Sequence, residues 1–493
     1  MSAKSLILVT VDCLRADHAG FMGYRRPVTP FLDSLAAESF VFPRAIVAGA
    51  PTFYSFPGLM ASRFPLSLGR EVTGLAPDEP TIATVLQEAG YRTAAFVAGN
   101  PYLGKRSGYA RGFETFQDFL SGNAPATEDM TGSSHRKTSR LNARIAGIAH
   151  RAGVPGRWYD SAYFQYRHRI AAPPAKSWDA LRRFPAADRL VDEAIEWLGS
   201  LGHEPFFLWM HFMDPHAPYY PMAEALTAVG GNIDPRRGRY LNAAWLEKQS
   251  ASAARYREEI VRLYDAGIRW VDTQLQRLVE SIRSQARWDS SIFAFTADHG
   301  EEFLEHGGRF HFASHAYQEL LHVPLLLRVP GTQPTALSAA PFSQLHLAPT
   351  LLEAMDMGPP AEFAGTACWA AMRRGGGWTH ATSESVANCT NPFQAANRIG
   401  GSVLAVQDER FKLLLDFERD REYLFDLADD PGEQRPLSPG SQRAPAARLL
   451  QLARQHLAGR RQGAYRDAAI RARLCEIGLE WKHSTMNAKT LAS

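Results

Sequence analysis

The chain has 493 residues, of which 45% are hydrophobic and 21% are charged, so it can build a large globular domain and a smaller one. Its 54 Lys and Arg against 51 Asp and Glu leave a net charge of +3, which indicates no particular class of partner. The four cysteines, Cys13, Cys368, Cys389 and Cys475, lack disulfide or zinc-finger spacing, which favours a reducing compartment. With no apolar run of about 20 residues and an N-terminal run too short for a signal peptide, we expect a cytoplasmic protein without a membrane span.

The first predicted element is a buried strand, residues 5–11, and Asp12 follows it directly. In open α/β sheets, ligands bind at the carboxyl ends of parallel strands. Asp12 is therefore a candidate metal ligand if a parallel neighbour also ends in a polar group. The alternative is that Asp12 caps the turn that follows.

The next segments continue a βα alternation. A helix is predicted at 29–36, and Thr52 and Ser55 then precede a short apolar helix, where a hydroxyl beside a metal is a plausible nucleophile. A capped helix at 81–90 leads into a strand at 92–98. That strand ends near Asn100, which joins the polar groups expected at the strand ends.

Segment 133–183 is rich in Lys and Arg and carries only Asp160 and Asp179 as acidic residues. Its weak periodicity and its prolines favour an insertion over the sheet rather than part of it. It could guide an anionic substrate or touch nucleic acid. We interpret it as a solvated surface and expect no nucleic-acid partner, because no stacking pattern or binding motif accompanies the charge.

A helix at 187–201 precedes a buried strand at 205–212, and Asp214 and His216 follow that strand. His216 lies in the loop and is a candidate site residue. His211 lies inside the strand, and we interpret it as a satisfied core histidine. A long amphipathic helix at 251–285 then leads to the next strand.

The strand at 291–297 ends in Asp298 and His299, and a carboxylate beside a neutral imidazole suits Zn, Mn or Mg. The following polar loop contains three imidazoles, each a candidate for contact with substrate, and Arg309 of the same loop is a candidate for substrate binding. The three imidazoles belong to His306, His311 and His315.

The rest of the chain completes one predicted domain and then, at about residue 378, changes to a pattern of short strands. A helix at 316–321, a strand at 323–330 and a helix at 345–355 complete a predicted catalytic domain, 1–377, which includes the basic insertion. Strands at 402–406, 411–417 and 422–427 and a helix at 444–457 predict an antiparallel α+β subdomain, 378–460. Residues 461–493 form a basic, polar tail.

Taken together, these residues resemble the sulfatase-type members of the alkaline phosphatase superfamily. The resemblance extends from residue 5 to about residue 435 in the order of the family, which makes it far more specific than one motif. It is carried by Val9-Thr10-Val11-Asp12, Gly90-Tyr91-Arg92-Thr93, Asp214-Pro215-His216, Asp298-His299-Gly300-Glu301, Glu305-His306-Gly307, Val323-Pro324-Leu325, Leu424-Phe425-Asp426-Leu427 and Asp430-Pro431-Gly432-Glu433.

The resemblance implies a three-layer α/β/α sandwich with a mostly parallel central sheet, plus a small C-terminal α+β subdomain. It implies one divalent metal ion, held by the nucleophile together with Asp12, Asp298 and His299. It also implies that His216 and one histidine after residues 305–307 hold the ester oxygens or protonate the leaving group. His311 and His315 both remain candidates for that second histidine, and His315 is nearer the expected place.

The departures from the family pattern change the expected chemistry. Thr52 stands where sulfatases carry the Cys or Ser that is oxidised to formylglycine, and Tyr54 and Phe56 replace the Pro and Arg of that motif. Threonine cannot give formylglycine by that route, so we expect none; it resembles the phosphoryl-transferring members instead. Cys13 replaces a second Asp, which removes a hard oxygen ligand and shifts the preference from Ca toward Zn or Mn. Asn100 stands where many members have an anion-binding Lys.

The sequence therefore predicts a metal-dependent hydrolase or transferase that acts on phosphate or phosphonate esters through a covalent intermediate on Thr52. The expected partner is a small or glycan-linked anionic ester, and the expected cofactor is one Zn, Mn, Mg or Ca ion. One alternative is a sulfuric ester hydrolase without formylglycine. The other is an inactive, sulfatase-like binding protein that uses segment 133–183 as its contact surface.

Overall fold

A mostly parallel sheet between two layers of helices organises the chain. The computed structural model describes residues 3–70, 72–120, 176–246, 253–311, 315–438 and 442–462. Most of the predicted basic insertion and nearly all of the predicted basic tail lie outside these ranges. The architecture confirms the predicted three-layer α/β/α sandwich with an antiparallel sheet toward the C-terminus.

The central sheet has seven strands in the order β2-β11-β7-β1-β6-β4-β5. Only β11 runs antiparallel to its neighbours. Every residue of β1, β6 and β7 is buried, as expected for central parallel strands that are covered by helices on both faces. The strands of this sheet are β1 (Ser5–Val11), β2 (Phe40–Val41), β4 (Arg92–Val97), β5 (Thr115–Gln117), β6 (Phe206–Phe212), β7 (Ser291–Ala297) and β11 (Leu325–Arg328).

Two groups of helices cover the two faces of this sheet. One group packs around the long amphipathic helix α7, and the other consists of α2, α3 and α9, which contact one another. The first group contains α1 (Pro30–Ala36), α4 (Ala187–Gly199), α5 (Ala223–Ala228), α6 (Pro235–Leu246) and α7 (Ala253–Ser284). The second contains α2 (Thr52–Ala61), α3 (Ile82–Glu88) and α9 (Leu347–Ala354). The shorter elements are β3 (Ala45–Ile46), β8 (Glu302–Phe303), β9 (Arg309–Phe310), α8 (Gln318–Leu321), β10 (His322–Val323), β12 (Phe342–Ser343) and α10 (Trp369–Met372).

The C-terminal part is a four-stranded antiparallel sheet with one helix packed on it. Its elements are β13 (Ala381–Val386), β14 (Ser402–Gln407), β15 (Phe411–Asp416), β16 (Arg421–Asp426) and α11 (Arg443–Gln462). Side chains alternate across β15, so that Leu413 and Leu415 join the cluster around Leu449 of α11, whereas Leu414 joins the main core. The sheet is thus fixed on both faces. Strand β13 was absent from the prediction, and the exact domain division at residue 377 remains a prediction.

No helix in the described part of the chain combines the length and the apolar composition that crossing a membrane requires.

Candidate active site

Two buried carboxylates lie side by side at one edge of the central sheet. Strand β1 pairs in parallel with β7 and with β6, so that Val11 lies opposite both Ala297 and Phe212. Asp12 follows β1 directly and Asp298 follows β7 directly, and both side chains are fully buried. The sheet register therefore brings together the two carboxylates that the sequence placed at strand ends.

The hydroxyl of Thr52 lies opposite these strand ends. Thr52 is the first residue of α2, and its side chain is 4% exposed. Its Oγ1 lies 3.2 Å from His299 Nε2 and 3.4 Å from Asp12 Oδ2. The first turn of a helix has N–H groups without intrahelical partners and a partial positive charge. The hydroxyl thus stands where an anion would be stabilised.

His299 presents a lone pair to this hydroxyl. Its Nδ1 lies 2.8 Å from the carbonyl oxygen of Gly300, so Nδ1 carries the proton and donates it, which leaves Nε2 as the acceptor facing Thr52. Burial, and then the nearby imidazole of His311, lowers the pKa of His299 to about 3. The ring is therefore neutral, which is the form that binds metals. A Cβ at Gly300 would lie 1.9 Å from the carbonyl oxygen of Glu319, so glycine is required beside this ligand.

The two carboxylates have opposite pKa shifts. Burial raises the pKa of Asp12, but three nearby imidazoles outweigh burial and hold that pKa well below its ordinary value. They belong to His216, His211 and His299. Burial, followed by the charge of Asp12, raises the pKa of Asp298 well above its ordinary value. Two close carboxylates in a dry site thus need added positive charge before both can ionise.

Two buried polar atoms in this cluster lack hydrogen-bond partners among the described residues. Asp298 Oδ1 accepts the backbone N–H groups of Cys13 and His299, whereas Asp298 Oδ2 accepts none. His211 Nε2 is also unpaired and lies 3.4 Å from Asp12 Oδ2. Unpaired buried polar atoms are costly, and a divalent cation bound by Asp298 Oδ2 would satisfy that carboxylate oxygen. The donor set of carboxylate oxygens and neutral imidazoles therefore fits the metal ion implied by the family resemblance.

His216 and His311 lie next to this cluster. Their ring centres are 5.0 Å apart, and the ring centre of His311 is 4.8 Å from that of His299. His216 Nδ1 lies 2.5 Å from the carbonyl oxygen of Ala217, and burial lowers the pKa of His216. His311 Nδ1 lies 3.1 Å from Glu301 Oε1. Burial lowers the pKa of His311, but the Glu301 carboxylate outweighs burial and raises that pKa above its ordinary value.

His315 and Arg309 contact other groups. His315 Nδ1 lies 2.8 Å from Glu302 Oε1, and His315 lines a cavity of about 540 Å³ that lies against the C-terminal sheet. The guanidinium of Arg309 donates to the carbonyl oxygen of Trp245 at 2.5 Å and lies 5.9 Å from the ring centre of that residue. Of the two histidines left open by the sequence, the structure thus brings His311 into the cluster. The catalytic roles of both remain predictions.

Asn100 contacts the cluster through Asp12. Its Nδ2 donates to Asp12 Oδ2 at 2.9 Å, and its Oδ1 accepts the backbone N–H of Tyr102 at 3.0 Å. The second bond fixes the amide orientation, and the side chain is 2% exposed. Asn100 thus orients a proposed metal ligand, while its predicted contact with substrate remains a prediction.

Sequence reasoning missed two members of this cluster. The interpretation of His211 as a satisfied core histidine is wrong for one nitrogen: Nδ1 lies 3.0 Å from Thr10 Oγ1, but Nε2 faces Asp12 without a hydrogen bond. His211 pairs with Thr10, which is one residue from the end of β1, and this closeness to Asp12 was the signal that could have identified it. The sequence identified Cys13 only as the residue that replaces a second Asp, yet its Sγ lies 2.9 Å from Asp12 Oδ1.

Three groups of nitrogen, oxygen and sulfur atoms in this cluster are each compact enough to hold an ion. The described part of the chain contains three sets of possible ligand atoms, and within each set the atoms lie within 4.8 Å of one another. They are Asp12, His211 and Asp298; Asp12, Cys13 and His216; and Cys13, His299 and His311. All three belong to the strand-end cluster.

The fold and the buried cluster at the carboxyl edge of its sheet define an α/β protein with a group of possible metal ligands at its strand ends. The family model described as Sulfatase matches residues 4–357. The chain therefore belongs to the sulfatase family.

One relative and two solved structures show what the chain is similar to. An arylsulfatase of Hemicentrotus pulcherrimus is 23% identical over 355 residues, which are 66% of this chain and 54% of the relative, so the chain spans about half of that protein. A protein solved in complex with its substrate D-glucosamine-2-N,6-O-disulfate has a TM-score of 0.68 at 16% identity, covering 94% of this chain and 99% of that one. A phosphonate monoester hydrolase of Agrobacterium radiobacter has a TM-score of 0.59 at 20% identity, covering 93% and 96%.

Proposed function

We propose that the protein is a metal-dependent enzyme that cleaves phosphate or phosphonate esters through a covalent intermediate on Thr52. The observation that carries the proposal is the position of the Thr52 hydroxyl, 3.2 Å from His299 Nε2 and 3.4 Å from Asp12 Oδ2. A threonine at this point retains its hydroxyl and is no precursor of formylglycine. A hydroxyl beside a divalent cation is a suitable nucleophile for phosphoryl transfer.

The cation would be held by Asp12, Thr52, Asp298 and His299. When bound, it would lower the pKa of the hydroxyl and offset negative charge on the ester oxygens. The buried carboxylates prepare this site, because Asp298 Oδ2 has no hydrogen-bond partner in the described part of the chain and Asp12 is surrounded by imidazoles. The candidate ions are Zn, Mn, Mg and Ca, and activity after loading with each of them would identify the ion that supports turnover.

In the first step, Thr52 Oγ1, whose proton would pass to solvent when the cation binds, attacks phosphorus. The new Oγ1–P bond forms as the P–O bond to the leaving group breaks, in line with the attack. The leaving oxygen takes a proton from His311, whose imidazolium is stabilised by Glu301 at 3.1 Å. His216, whose Nδ1 donates to a backbone carbonyl, presents Nε2 as an acceptor for a protonated ester oxygen.

In the second step, the phosphoryl group passes from Thr52 to water or to an acceptor alcohol. Neutral His311 takes the proton of the incoming oxygen as the Oγ1–P bond breaks, and the Thr52 oxygen leaves in the deprotonated form in which it attacked. His311 and Thr52 thereby regain their starting protonation states, so hydrolysis consumes one water per ester. The phosphonate monoester hydrolase among the structural neighbours supports this substrate class.

A second candidate is hydrolysis of a sulfate ester without formylglycine. It is favoured by the arylsulfatase among the relatives and by the neighbour solved with a disulfated glucosamine. A sulfated glycan would then be the substrate. The same cluster would act, with Thr52 attacking sulfur in place of phosphorus.

Matched substrates separate these functions. The protein is loaded in turn with Zn, Mn, Mg and Ca, and is assayed with aryl phosphate monoesters and diesters, an aryl phosphonate monoester and an aryl sulfate that share one leaving group. The proposal expects the phosphorus esters to be turned over faster than the sulfate. A dominant sulfate rate would establish the second candidate, and a metal-loaded protein inactive on every ester would favour a binding protein. Added glycerol distinguishes transfer from hydrolysis, because transfer forms a glycerol phosphate.

A further inference from the structure

A cysteine lies inside the proposed metal cluster rather than beside it. The side chain of Cys13 is fully buried. Its Sγ lies 2.9 Å from Asp12 Oδ1 and 3.4 Å from His311 Nδ1. The other described cysteines lie elsewhere. Cys389 packs with Phe53 and Tyr54, and the backbone N–H of Cys368 donates to the Thr350 hydroxyl.

The backbone of Cys13 is held in a conformation that turns this thiol toward the cluster. Its φ of 62° lies in the left-handed region, which is disfavoured for residues with a Cβ. Two bonds maintain it: the Tyr264 hydroxyl donates to the Cys13 carbonyl oxygen at 2.7 Å, and the Cys13 N–H donates to Asp298 Oδ1 at 3.3 Å. Strain that surrounding groups enforce at a candidate site points to a role for the residue that bears it.

The atoms around Sγ form plausible ligand sets. Sγ lies within 4.8 Å of ring nitrogens of His299 and His311, and within the same distance of ligand atoms of Asp12 and His216. An independent observation points to a ligand at this place, since the fully buried Asp298 Oδ2 is left without a hydrogen-bond partner in the described part of the chain.

We propose that Cys13 Sγ binds the divalent cation as a thiolate, together with Asp12, Asp298 and His299, and that the site thereby prefers zinc to calcium or magnesium. The inference rests on the cation of the proposed function but not on its ester chemistry. Binding exchanges the S–H proton for the S–metal bond, so one proton from Cys13 is released to solvent for each ion bound. Thiolate sulfur favours zinc, whereas calcium and magnesium take oxygen ligands.

Spectroscopy of the metal-loaded protein tests the sulfur ligand without reference to turnover. Cobalt(II) bound to the full chain should give a near-ultraviolet thiolate-to-metal charge-transfer band. The band should be lost in Cys13→Ser and kept in the three matched controls. These are Cys368→Ser, Cys389→Ser and Cys475→Ser, the last at a position outside the described residues.

X-ray absorption of the zinc-loaded wild type gives a second measurement, which does not depend on whether Cys13→Ser folds. The proposal expects one sulfur at about 2.3 Å from zinc. A shell of nitrogen and oxygen alone would overturn it, as would a charge-transfer band that persists in folded Cys13→Ser.

Selectivity provides the third measurement. Cys13→Asp exchanges the thiolate for a carboxylate and should weaken zinc binding relative to calcium binding by at least about 10- to 100-fold. Loss of a residue that only supports a metal ligand already lowers metal affinity by that factor. An unchanged zinc-to-calcium ratio would overturn the proposal. A protein with the sulfur ligand but no activity on any ester would refute the proposed function and leave this inference standing.

Discussion

Removal of the Thr52 hydroxyl should abolish activity while leaving the fold intact. Thr52→Val keeps the β-branched shape and loses only the hydroxyl, whose two contacts are long at 3.2 Å and 3.4 Å. Such contacts contribute about 1 kcal/mol or less to stability. Loss of a covalent nucleophile costs on the order of 10⁴ to 10⁶ in kcat, or about 5 to 8 kcal/mol of transition-state stabilisation. The catalytic effect therefore exceeds the structural effect several-fold.

The assay combines kcat/KM on the best phosphorus ester, the urea midpoint and the metal content of each variant. Thr52→Ser keeps the hydroxyl and should retain activity to within about tenfold. With a slow substrate, mass spectrometry should find one phosphoryl group on the peptide that contains Thr52 in the wild type and none in Thr52→Val. A metal-loaded, folded Thr52→Val with activity within about tenfold of wild type would refute the covalent mechanism.

Three further predictions concern stability and metal binding. Lys412 Nζ and Glu433 Oε1 form a fully buried ion pair at 2.6 Å. Lys412→Met should therefore lower the free energy of unfolding by about 3 to 5 kcal/mol, and adding Glu433→Gln should recover part of that loss. A loss under about 1 kcal/mol, measured by urea unfolding, would contradict this prediction. His306 Nδ1 lies 2.5 Å from Glu319 Oε1, and although burial lowers its pKa, Glu319 outweighs burial and raises it. The protonated form is thus favoured on folding, so this contribution is present below about pH 6.5 and is lost as the pH rises through the folded-state pKa; urea midpoints should fall over that range in wild type and less in His306→Asn, and equal slopes would count against it. Asp298→Asn keeps the Oδ1 contacts and replaces a carboxyl group whose pKa is raised by burial and by Asp12, so without metal it should melt no lower than wild type. Zinc at 100-fold its Kd should stabilise only the wild type, by about 2.7 kcal/mol, and equal zinc-induced shifts in Tm would contradict that role.

The sheet and its strand-end groups could be predicted because their signals are local. Asp12 and Asp298 each follow a continuous apolar run, and the end of such a run in a parallel sheet opens onto the ligand-binding edge. The sequence shows where each run stops without knowledge of its neighbours. The central strands and the long helix α7 were predicted for the same reason.

The rest of the site depends on contacts that the sequence does not encode locally. His311 and His315 are close in the sequence, and the structure distinguishes them by their carboxylate partners, Glu301 and Glu302. The two nitrogens of His211 differ only through the neighbouring strand. Strand β13 was missed because its small and polar residues lack an apolar pattern, and their burial comes from the packing of other elements. The cytoplasmic location remains a prediction from the sequence.

The strand order determines when the central strands can pair during synthesis on the ribosome. Strand β1 lies at the centre of the sheet, but its partners β6 and β7 begin only at Phe206 and Ser291. The first apolar strand to leave the exit tunnel therefore stays unpaired in this sheet until Phe206–Phe212 has also left the tunnel, and it is exposed to aggregation during that time. Cys13 and Asp298 are 285 residues apart, so the cluster cannot close until late in translation. Chaperone demand, rather than the stability of the finished fold, should then limit the yield of this protein during expression.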